Sequence, residues 1–120
     1  MATMRRQQMS EEMQRCIQNC LNCGSICQET LTYCLQQGGK HAEPGHIRLL
    51  VDCAEICQTS ANYMLRMSDL HGRTCGVCAE VCDRCASSCE QFGNDSQMAA
   101  CADACRRCAQ SCRTMAGATM

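Results

Sequence analysis

Residues 75–89 read CGVCAEVCDRCASSC, with cysteine at 75, 78, 82, 85 and 89. Steps of three and four return side chains to one face of an α-helix. A strand, with its period of two, would scatter them over both faces. The same steps recur in CIQNCLNCGSIC (Cys16, Cys20, Cys23, Cys27), with Cys34 two turns further on. They recur in CAEIC (Cys53, Cys57) and in CADACRRCAQSC (Cys101, Cys105, Cys108, Cys112). Cysteine thus takes the inward positions that hold Leu and Ile in an ordinary bundle.

Breaks separate these stretches at Gly38-Gly39 to Pro44-Gly45, at Ser68-Asp69 to Gly72, and at Gly93-Asn94-Asp95-Ser96. Gly just past a helix end and Ser, Asp or Asn just before a start are the expected punctuation. The segments are roughly 10–37, 45–67, 70–92 and 95–116. Glu11–Arg15, Glu80–Arg84 and Asp103–Arg107 are acidic-to-basic pairs four residues apart, favourable on an exposed helical face. Pro44 opens the second segment, where a helix tolerates it. No alternating β-branched run suggests a strand. Short connections between four such segments predict an all-α, antiparallel up-down-up-down four-helix bundle with a cysteine-lined core. The whole of 1–120 is read as one domain.

Composition agrees with that reading and removes several functions. Cysteine makes up 16 of the 120 residues, while Ile, Leu, Val and Phe together number only 15. So few large apolar side chains imply disorder only alongside high net charge, and the charge here is −1. Cys, Ala and Met must fill the core, and a free thiol packs as a small hydrophobe. No apolar run approaches the ~20 residues of a membrane span. Met1–Glu12 has no apolar signal region, so a cytoplasmic location is expected. With balanced charge, three aromatic residues and no basic stripe, nucleic acid is not an expected partner. Nucleophile–base pairs, phosphate loops and paired inward carboxylates are missing from the sequence pattern, so no enzyme is expected.

Sixteen thiols in register call for a ligand. Disulfides within a helix are disfavoured because cysteines three or four apart have near-parallel Cβ vectors. In a reducing compartment metal is the stronger reading, and soft thiolates select Cu(I), Zn(II) or iron–sulfur clusters. Clusters use cysteines on wrapping loops rather than on continuous helices. Zn(II) with four thiolates leaves each site at −2, so four sites would leave about −8 in the core. Cu(I) at about one ion per thiolate leaves it neutral, a load on the order of 16 ions. A zinc or general thiol-metal buffer, or a structural disulfide helical hairpin, remain the alternatives.

Extending the stripes in register gathers His41, His46, Leu50, Phe92 and Met98 at one end of the bundle. Met9, Met13, Met64, Met67, Met115 and His71 gather at the other. His46 lies in the cysteine register, and the connection holding His41 is the longest, which makes that end the expected copper entrance. The methionines read either as adaptable packing or as thioether ligands. A second stripe (Ile17, Leu21, Leu31 and Leu35 on the first segment; Leu49, Ile56, Tyr63 and Leu70 on the second) serves packing within the bundle or a face between subunits.

The four cysteine stretches quoted above resemble, over nearly the whole chain, the bacterial copper storage proteins of the cytosolic type. The resemblance implies a thiolate-lined four-helix bundle that stores many Cu(I) ions, often as a homotetramer. It also implies histidine at a bundle mouth, with His41 and His46 as the candidates. The second segment departs from the pattern: it carries only Cys53 and Cys57, with Ser60 and Met64 where further thiols would stand.

Overall fold

The computed structural model describes residues 9–118. Four long helices carry the chain: α1 (Glu11–Gln37), α2 (Pro44–Leu65), α3 (His71–Cys89) and α4 (Ser96–Ala118). Two single 3₁₀ turns, Gly39–Ala42 and Glu90–Phe92, lead into the α1–α2 and α3–α4 connections. No strand occurs among the described residues.

Several of the starts and stops have a local cause. The Ser10 hydroxyl accepts the Met13 N–H at 3.0 Å, and Glu11 and Glu12 follow in the first turn, where the helix dipole favours acid. Gly38 closes α1 at φ 71°, a left-handed conformation that costs glycine little, and its N–H returns to the Cys34 carbonyl. Pro44 is the first residue of α2. The Asp95 carboxylate accepts the Met98 N–H and starts α4. The third segment ends earlier than its pattern suggests. The α-helix stops at Cys89, and Phe92 sits in a 3₁₀ turn that precedes the left-handed Gly93.

Cross-helix pairs fix the topology. Cys16 meets Cys112 while Cys27 meets Cys101, so α1 and α4 run oppositely. Cys23 meets Cys53 and Cys34 meets His46, which makes α1 and α2 antiparallel. Cys53 meets Cys82 and Cys57 meets Cys78, which does the same for α2 and α3. The up-down-up-down bundle follows, about 47 Å long and 27 by 21 Å across. On its outside, Arg106 bridges Asp83 and Glu90, and Arg113 reaches the other Asp83 oxygen at 2.7 Å, tying α4 to α3. The intrahelical pairs Glu80–Arg84 and Asp103–Arg107 form as expected. Partly exposed pairs of this kind contribute little each. The inward stripe of small residues, which lets the helices close on one another, is the main source of cohesion.

One turn lacks the glycine its geometry favours. Met67 adopts φ 54° at the end of α2, where the Ser68 N–H reaches back to the Tyr63 carbonyl and the Met67 N–H to that of Met64. A left-handed non-glycine residue costs roughly 1 kcal/mol, and this side chain is 39% exposed. Met67→Gly should therefore raise apo stability by about 0.5–1 kcal/mol in chemical denaturation. A loss of stability would mean that Met67 packs more usefully than its exposure indicates.

Candidate metal centre

All sixteen cysteines are free and at most 1% exposed, and their sulfurs form one column down the bundle axis. At one end Cys16 lies 3.6 Å from Cys112, and Cys75 meets Met64. Cys20, Cys78 and Cys108 follow, then Cys23, Cys53, Cys57, Cys82 and Cys105 at the middle, with neighbouring sulfurs 3.6–3.9 Å apart. Cys27, Cys85 and Cys101 form the next level, where Cys89 joins them through Cys85 and Cys101. Cys34 and His46 close the column. The i, i+3 and i+4 spacing read in the sequence thus converges from four helices upon one axis.

Sulfurs within 4.8 Å of one another form overlapping tetrads. Three can be drawn without sharing: Cys20–Cys78–Cys108–Cys112, Cys23–Cys53–Cys57–Cys82 and Cys27–Cys85–Cys101–Cys105. Two more bridge between these, Cys23–Cys27–Cys53–Cys105 and Cys57–Cys78–Cys82–Cys108. Three tetrathiolate zinc ions would leave about −6 in the core. Nothing there offsets such charge, because the buried polar residues among those described are Thr30, His46 and Ser60. The bridging tetrads instead suit an ion of single charge that shares thiolates along a continuous chain.

Burial opposes ionisation throughout the column. Cys34 is pushed up to about 11 by burial, with Cys101, Asp95 and Cys85 adding repulsion. Deeper in, thiols hydrogen-bond one another. Cys105 is raised, first by its bond with Cys101, while that same contact most strongly lowers Cys101. A thiol that donates its S–H to a neighbouring sulfur keeps its proton, and burial with no buried Lys or Arg among the described residues favours that neutral form over an array of thiolates.

The two candidate histidines separate. His46 Nε2 lies 3.4 Å from Cys34 Sγ, and its Nδ1 bonds to Ser88 Oγ at 2.7 Å. Burial lowers its pKa, so the ring is neutral at pH 7. His41 contacts no thiol. Its Nε2 is 2.9 Å from Asp95 Oδ2, which also accepts the Tyr33 hydroxyl at 2.7 Å. The Phe92 ring lies between the two imidazoles, 4.3 Å from His41 and 5.1 Å from His46. His41 therefore straps the α1–α2 connection across the mouth and stands back from the sulfurs.

Two features escaped the sequence reading. Cys34 and His46 form a cysteine–histidine contact that no local motif announces, since a helix end and a connection separate them. Burial raises the thiol and lowers the imidazole, so this is a neutral pair and not an activated thiolate nucleophile. Ser88, which orients His46, follows Cys85 by three residues, and that inward register was its only signal.

The sequence profile of the copper storage proteins matches residues 9–117. The chain belongs to the copper storage protein family. A protein of Nitrosospira multiformis is 47% identical, with 92% of this chain and 99% of that one covered and a TM-score of 0.86. The Cu(I)-bound copper storage protein BsCsp3 is 34% identical over 88% of this chain and 99% of its own, TM-score 0.82. The copper storage protein Ccsp of Streptomyces lividans, solved loaded with 10 copper equivalents, is 30% identical over 89% and 85%, TM-score 0.78.

A raised thiol pKa makes the metal-free family fold sensitive to base. Cys34 shifts from 9.0 to about 11 on folding, so its contribution is complete below pH 9 and is lost as pH rises toward 11. Anaerobic denaturation of the apo protein should show stability falling across that window. Stability that holds through pH 11 would contradict the assignment of a neutral, buried thiol.

Proposed function

We propose that this protein stores Cu(I), with Cys16, Cys20, Cys23, Cys27, Cys34, Cys53, Cys57, Cys75, Cys78, Cys82, Cys85, Cys89, Cys101, Cys105, Cys108 and Cys112 as ligands. The observation that carries the reading is the overlapping set of buried tetrads with no buried Lys or Arg among the described residues to balance a thiolate excess. Each Cu(I) displaces one proton and leaves the core as neutral as it was, at a limit of about 16 ions per chain. His46 binds a terminal ion at the mouth beside Cys34. A surface depression lined by Glu43, His46, Ser88 and Phe92 among others supports access there. His41 acts at that end by holding the strap and not as a ligand. Storage is the role, because the column offers many equivalent buried ligands along one axis.

A cytosolic location is supported by the Streptomyces lividans relative, described as a cytosolic copper storage protein. Association into homo-oligomers, a tetramer by family resemblance, is supported by Val77, exposed beside the half-buried Ile56 and Val81 in a shallow depression between α2 and α3.

Anaerobic titration against a competing chelator tests the function. Reduced protein should take up well over four Cu(I) per chain. Changing Cys78, Cys82, Cys105 and Cys108 to Ser should lower the capacity by several ions while the far-UV circular dichroism stays helical. Saturation at one to four Cu(I), with equal or better loading by Zn(II), would favour the zinc buffer instead. His46→Ala should slow uptake severalfold and leave capacity within about one ion, because a mouth ligand holds only a terminal ion.

A further inference from the structure

The two ends of the sulfur column carry the same three kinds of donor, and only one end has been given a role. At the mouth, Cys34 Sγ lies 3.4 Å from His46 Nε2 and 3.6 Å from Met98 Sδ. At the opposite end, Cys75 Sγ lies 3.8 Å from Met64 Sδ, and both residues are fully buried. His71 stands one turn before Cys75 on the same face of α3. Its Nδ1 is 2.8 Å from the Ser68 carbonyl. A carbonyl only accepts, so the proton sits on Nδ1 and the Nε2 lone pair is left free. An imidazole fixed in this way by a backbone carbonyl is the arrangement found behind metal-bound histidine.

A second observation points to a ligand at the same level. Ser60 is fully buried, and its hydroxyl has no hydrogen-bond partner among the described residues. It occupies the α2 register between Cys57, which meets Cys78, and Met64, which meets Cys75. An orphaned buried hydroxyl is costly, and a metal-bound thiolate beside it would supply the missing acceptor.

We propose that Met64, Cys75 and His71, with the Ser60 hydroxyl behind them, form a second terminal Cu(I) site at the end of the column opposite His46. The site takes a soft cation of single charge. One thiolate balances that charge, while the thioether and the imidazole add neutral donors, so no net charge is buried. Binding transfers the Cys75 thiol proton to solvent and leaves a neutral copper–thiolate unit. The inference rests on the Cu(I) storage reading and adds an end site with mixed donors to a column otherwise made of thiolates.

Silver(I), a stand-in for Cu(I) with a spin-active nucleus, tests this on the unmodified protein. Silver–proton correlation NMR reports only protons on residues bonded to the metal, so packing changes do not register. Correlations to the Met64 methyl and the His71 ring protons, assigned with Met64→Leu and His71→Gln, are expected alongside those to the Cys75 β-protons. Column correlations to Cys78 and Cys82 without any to Met64 and His71 would overturn the end site and leave storage intact. Their absence as well would overturn both readings. In Cu(I) titrations the Met64→Leu/His71→Gln double variant should bind about one ion fewer per chain, with unchanged helicity. An unchanged capacity would contradict the site.

Discussion

Neutrality of the core is the constraint from which the rest of the structure follows. Sixteen thiols share a space with no buried Lys or Arg among the described residues, and desolvating even a few uncompensated thiolates would be prohibitive. As S–H groups they pack like small apolar side chains, so helices with little Leu, Ile or Val still form a bundle. The same property that lets the metal-free protein fold selects its cargo. An ion of charge +1 can replace a proton, thiol by thiol, without changing the electrical state of the interior. Divalent zinc cannot do so in tetrathiolate sites, even though three separate tetrads offer it suitable ligands.

The column must end somewhere, and its ends are where neutral donors appear. Imidazole and thioether can complete the coordination of a terminal ion without adding negative charge. Around the mouth, the surrounding residues act on position more than on binding. Ser88 orients His46, Phe92 fills the space between the two rings, and Asp95 serves at once as the start of α4 and as the anchor of Tyr33 and His41. Much of that end is held by the connections between helices, with the 3₁₀ turns Gly39–Ala42 and Glu90–Phe92 on either side of it.

Most of the architecture was legible because cysteine itself carried the periodicity. Steps of three and four in all four segments named the inward face, and the glycine, proline and serine breaks set helix bounds to within a few residues. What escaped the reading depended on contacts between distant residues. The α-helical end at Cys89 reflects a 3₁₀ turn that no propensity rule separates from a further helical turn. His41 and His46 sit at one break and register singled out only His46, while three-dimensional placement put that ring against a thiol and His41 against Asp95. Ser60 read as a missing thiol, and only packing revealed its hydroxyl to be without a partner. Met64 read as filler or as donor, and nothing in its local pattern announced that its sulfur faces Cys75.

Proton counting addresses the neutral-exchange account most directly. Reduced apo protein in weak buffer near pH 7 would be loaded anaerobically with Cu(I) from a weak, proton-inert complex while released acid is measured. The account predicts close to one proton per Cu(I), constant until the column is full at about 16 ions. Release well below one proton per ion would mean that the thiols were already ionised in the core. Two or more per ion would mean that the core gains negative charge on loading. Either result would contradict a column that trades protons for copper at constant charge.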